Sequence, residues 1–153
     1  ISYEYDPCDQ AKARELYIRA TTGTYSKVPG EDDASIAKGI TGYKGRVHVN
    51  FAAPITQLFD DTKQLAQEMD RQILGGYRLF PVHYLAYAQW SDADPQLQVP
   101  PASELFPADE LAKAQAQWQS RLDACPAEHR PYLVLQYATP VRNQYRVKAG
   151  LAL

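Results

Sequence analysis

The sequence predicts an α/β fold, mostly helical, with two or three short strands and a helical C-terminal extension. Three observations lead there. Residues 46–52 alternate apolar Val47, Val49 and Phe51 with polar Arg46, His48 and Asn50, the period of a strand. Residues 59–74 carry Leu65, Met69 and Ile73 four apart, the period of an amphipathic helix. Residues 108–125 are rich in Ala, Gln and Leu and contain no Gly or Pro before Pro126, which suits a long helix.

The remaining elements follow in order. Residues 1–5 are β-branched and aromatic and read as a strand that Asp6-Pro7 ends. Asp9 is placed to cap a helix that runs to about Thr21 and stops at Gly23. Glu31, Asp32 and Asp33 follow the turn at Val28-Pro29-Gly30 and suit the positive end of a helix over 32–41. Asp60 or Asp61 can cap the amphipathic helix, and Gly75-Gly76 ends it. Residues 77–80 read as a short extended piece or a connection. Pro81 opens a helix to about Trp90, at the position where proline is tolerated. Residues 91–107 hold Pro95, Pro100, Pro101 and Pro107 and read as a surface linker. Residues 128–137 form a further helix, interrupted at Thr139-Pro140 and resumed over 141–145, with fraying expected over 150–153. Two segments emerge: 1–56, carrying the strands, and 57–153, the helical extension.

Composition limits the function. A net charge of −2 over 153 residues argues against a general nucleic-acid binder, which needs a basic excess. No apolar run approaches the length of a spanning helix. The opening Ile-Ser-Tyr-Glu-Tyr shows no basic leader and predicts a processed or truncated product. Cys8 and Cys125 lack C-x-x-C spacing and read as free thiols, or as a pair if the fold unites them. His48, His83 and His129 form no metal-binding pair, and the acidic cluster at Glu31-Asp32-Asp33 has no second ligand group, so neither metal nor cofactor is expected. There is no nucleophile elbow and no P-loop. Lys44 and Arg46 about Gly45, with Arg142, Arg146 and Lys148, are candidates for anionic head groups, against ordinary surface charge.

Three segments, in order, carry a resemblance. They are Ile1-Ser-Tyr-Glu-Tyr-Asp-Pro-Cys-Asp9, then Ile40-Thr-Gly-Tyr-Lys-Gly-Arg-Val-His-Val-Asn-Phe51 with Pro54-Ile55, and Tyr77-Arg-Leu-Phe-Pro-Val-His-Tyr-Leu-Ala86 with Tyr137-Ala-Thr-Pro-Val-Arg-Asn143. Together they resemble the downstream half of bacterial glycerol-3-phosphate and 1-acylglycerol-3-phosphate acyltransferases. The element G-R-V-x-V-x-F-x-x-P-I at Gly45–Ile55 is the most portable part. The resemblance implies strands completing an acyltransferase-type sheet, and transfer of a fatty acyl group from acyl-CoA or acyl-carrier protein to a lysophospholipid or glycerophosphate hydroxyl. The general base in that family is a histidine in a histidine–x4–aspartate motif. That motif is absent from these residues, so the implied catalytic groups lie outside the chain and the chain alone is expected to be inactive. The implied location is cytoplasmic, peripheral to the inner membrane, with the membrane surface as a further partner. The strand's polar face, Arg46, His48 and Asn50, is the candidate substrate-binding surface. The alternative is a non-catalytic membrane-surface or protein-binding module.

Overall fold

The computed structural model describes residues 1–90 and 92–151; Ser91 and the last two residues of the predicted fraying end lie outside them. Among the described residues the order is β1 (Ser2–Tyr3), α1 (Asp9–Thr22), α2 (Glu31–Thr41), β2 (Val47–His48), α3 (Thr62–Gly75), α4 (Pro81–Gln89), α5 (Ala102–Leu105), α6 (Ala108–Asp123), a 3₁₀ turn at Ala127–His129, and α7 (Arg130–Lys148). The chain is thus mostly helical with one small two-stranded sheet, and α5 punctuates the expected linker.

The strands pair antiparallel, Ser2 opposite His48 and Tyr3 opposite Val47. Two further bonds extend the pairing, from Glu4 N–H to the Arg46 carbonyl and from Tyr5 N–H to the Lys44 carbonyl, both 2.9 Å. Although helices separate them in sequence, the two strands are antiparallel neighbours and not a parallel crossover pair. Both strands are also shorter than their alternating patterns. Gly45 makes the entry to β2, with φ +63 and only 2.7 Å between an added Cβ and Glu4 Oε2. Both the positive φ and the close approach favour glycine there.

The core sits where α1, α4, α6 and α7 meet. Phe80, Val82, Ala86, Trp118, Leu133, Tyr137 and Ala138 are buried together with Tyr5 and Ala13. The boundary between residues 56 and 57 therefore does not separate two cores. By contrast α2 and α3 bury no residue. Asp61 does cap α3, accepting the Gln64 N–H at 2.8 Å. Yet the predicted packing residues Leu65, Met69 and Ile73 are exposed.

Proline at 140 was expected to interrupt the last helix, but α7 runs through it unbroken. Proline removes the N–H that would meet the Gln136 carbonyl. Immediately before it, Thr139 Oγ1 donates to the Leu135 carbonyl at 2.7 Å. Burial of Leu133, Tyr137, Ala138 and Val141 on the partner helices outweighs the local cost. Gly150, with φ +69, then ends the helix in a Schellman motif: Leu151 N–H bonds the Arg146 carbonyl at 2.9 Å and Gly150 N–H the Val147 carbonyl at 3.1 Å.

Candidate functional site

The sheet is inside out relative to its hydrophobic pattern. Ser2 and Glu4 of the first strand segment are buried. Arg46 lies on the same side, against Glu4 and Phe80. The apolar residues face outward instead: Val47 is 50% exposed, Val49 51% and Phe51 92%. Antiparallel register puts Tyr3 beside Val47 and Ile1 beside Val49, and Ile1 is exposed too. The result is a cross-strand apolar patch with nothing packed on it among the described residues.

Of the predicted substrate-binding residues, Arg46 is fully engaged within the protein. Its Nε donates to Glu4 Oε2 at 3.0 Å, one terminal nitrogen to Glu4 Oε1 at 2.9 Å, and the other to Glu110 Oε1 at 2.6 Å. Its guanidinium also lies 4.9 Å from the Phe80 ring centre. Burial pushes the Glu4 carboxyl up, but hydrogen bonds from the Arg46 side chain and backbone, with its charge, hold it below the usual carboxylate range. Arg46 therefore ties the sheet to α6. Asn50 leans elsewhere: its Nδ2 would lie 2.0 Å from a Cβ at Gly76, just past the end of α3. His48 is half-buried between them. The sequence pattern brings these three to one strand face, and the fold spends Arg46 on structure.

A second polar group joins the chain ends. Asp9, expected to cap α1, is instead its buried first residue, with Cys8 at the cap position. Its Oδ2 accepts from the Tyr137 hydroxyl at 2.7 Å and pairs with Arg121, while Oδ1 accepts the Gln10 N–H at 2.7 Å. The Tyr137 hydroxyl in turn accepts the Asp6 N–H at 2.9 Å. Burial first, and the Asp9 charge second, raise the Tyr137 phenol far above its ordinary value. Arg121 lies 4.5 Å from the Tyr5 ring centre. No candidate metal cluster occurs among the described residues, and both cysteines are free.

His83, in the first turn of α4, is the one fully buried histidine. Phe80 N–H donates to its Nδ1 at 2.9 Å, so the ring proton sits on Nε2. Burial pushes this imidazole down to about 4, despite the opposing charge of Glu4. The sign of the pH effect follows. A folded value below the unfolded one means the unfolded chain binds more protons between about pH 6.5 and 4. Stability present above pH 6.5 is then lost as pH falls through that window, on the order of 3 kcal/mol. Urea titrations at pH 7 and pH 4.5 check this; a His83→Gln variant with the same pH dependence as the parent would refute it.

Compared with known proteins, the chain matches no family model, no curated protein and no solved structure. Two of the polar groups are committed to structure: Arg46 is neutralised by two carboxylates, and Asp9 is held in a buried ion pair.

The exposed apolar patch was missed at the level of sequence because alternation says only that the two faces differ, not which one turns inward. The signal that bears on it is Glu4. A carboxylate whose register faces Arg46 favours the polar side as the internal one.

Proposed function

We propose that residues 1–153 are the C-terminal portion of a glycerolipid acyltransferase. They carry no catalytic residue and serve as the part onto which the catalytic α/β layer packs. The observation that carries the reading is the uncovered sheet face of Ile1, Tyr3, Val47 and Val49, continuing to Phe51. A two-stranded ribbon is marginal alone, and an apolar sheet face of this kind suits a strand pair covered by further structure. The same residues fall within the segments that resemble acyltransferases. Acyl-CoA or acyl-carrier protein and a lysophospholipid would then meet the other part of the enzyme. No described helix is long and apolar enough to cross a membrane, so membrane contact in this reading is peripheral, at the inner membrane.

The test has two arms. The coding sequence around residues 1–153 is expected to encode a histidine–x4–aspartate motif upstream of Ile1; its absence there sinks the proposal. In the full-length protein, Val47→Asp with Val49→Asp is expected to abolish acyl transfer from a labelled acyl thioester. In the 153-residue chain the same pair is expected to change stability by no more than about 1 kcal/mol, because both sites are exposed. Full activity in the double variant would show that this face covers nothing.

The second reading, a membrane-surface module, is favoured by one feature: α3 turns Leu65, Met69 and Ile73 toward solvent. Flotation of the chain with anionic liposomes, lost in Met69→Glu, would support it over the first.

A further inference from the structure

His83 opens onto a crevice of ≈ 130 Å³ between β1, α4 and α7, lined also by Tyr3, Asp6, Tyr77 and Tyr137. The residue is buried. Nδ1 is occupied by the Phe80 N–H, so Nε2–H is the ring atom free to donate to whatever enters the crevice. The residue is buried on every other side, so the crevice is where an acceptor for this donor would arrive.

The walls define the ligand. Asp6 has one carboxylate oxygen on the Cys8 N–H at 2.7 Å, which leaves the other available. The Tyr137 hydroxyl is saturated by Asp9 and Asp6. Tyr3 and Tyr77 present hydroxyls with no hydrogen bond to the described chain, and Asp6 and Tyr3 are close enough to act electrostatically on the Tyr77 phenol. No lysine or arginine lines the crevice, and its one formal charge is negative. An anion would meet no cation there. A bare ammonium would leave the His83 N–H unmet, because it has no lone pair to offer.

We propose that this crevice binds a small hydroxylated compound. Its hydroxyl oxygen accepts from His83 Nε2–H, and a second donor, hydroxyl or ammonium, binds the Asp6 carboxylate. The volume accommodates about four waters, at about 30 Å³ each, or a molecule of similar bulk. A vicinal diol and an amino alcohol share this chemistry and differ only in charge. The inference is independent of the acyltransferase reading.

The experiment is a titration of the 153-residue chain, labelled with ¹⁵N, using 1,2-ethanediol, 2-aminoethanol and inorganic phosphate in parallel. The expected result is a saturable shift of His83 Nε2 and of the Asp6 and Tyr77 amides with a diol or amino alcohol, and none there with phosphate. If the amino alcohol is the tighter of the two, Asp6→Asn reduces its advantage over the diol. Tyr77→Phe keeps the ring and is expected to weaken the better ligand by about threefold to tenfold. Shifts that rise linearly with concentration for both compounds would overturn the proposal, as would saturable phosphate binding at His83. So would unchanged affinity in both variants, each verified as folded by its amide spectrum.

Discussion

Replacing Asp9 by alanine is expected to cost about 3–5 kcal/mol, because it strands a half-buried cation and a buried phenol together. Arg121 loses its carboxylate and Tyr137 its acceptor in one step. Arg121 is partly open to water, so solvent recovers some of the loss. The remainder is still a large share of the 5–15 kcal/mol typical of a whole domain. The readout is the urea midpoint, with an unchanged slope if the native state keeps its extent. Tyr137→Phe serves as the smaller comparison. It removes one hydroxyl that bridges Asp9 and Asp6, and about 1–3 kcal/mol is expected. If Asp9→Ala proved no worse than Tyr137→Phe, the ion pair would contribute nothing of its own.

Trp118→Ala is expected to destabilise by a similar 3–5 kcal/mol or so, for a different reason. Its ring is buried between α4 and α7, edge-on to Tyr137 at 5.1 Å between ring centres. Its indole N–H donates to Gln89 Oε1 at 3.0 Å. Removing it empties a space that rigid helices cannot fill, and cavity and lost transfer energy add. Trp118→Phe separates the contributions: it keeps most of the volume and gives up the Gln89 bond. A loss for Trp118→Ala no greater than for Trp118→Phe, measured by thermal unfolding, would mean the helices close over the gap.

Both variants probe contacts between distant parts of the chain, and distance explains what could be read in the sequence. Helices α1, α2, α3, α4 and α6 are local events. Gly23 after α1, the acidic start of α2, Asp61 before α3 and Pro81 at the head of α4 all act within a few residues of where they stand. Strand direction and facing are not local. Whether Val47 or Arg46 turns inward depends on Glu4 and Glu110, which lie far away in sequence. The same holds for Pro140: nothing nearby announces that α7 is wedged among α1, α3 and α4 firmly enough to keep its axis. Among the candidate site residues, the pattern located Arg46, His48 and Asn50 on one face, but Arg46's engagement required partners that only folding supplies. His83 read as an ordinary lone histidine. Its burial, and the donor left pointing into a crevice, come from α4 being pressed against α7.

The bond from Tyr137 to Asp9 spans 128 positions, and it ties the first helix to the last. During synthesis α1 emerges long before α7 exists to receive it. At the usual 5–20 residues per second, that interval is on the order of ten seconds. Throughout it Tyr5, Ala13 and the carboxylate of Asp9 stand in water without their partners. The nascent chain therefore offers a chaperone a long opportunity, and the emergence of α7 becomes the event that commits this core to its native packing.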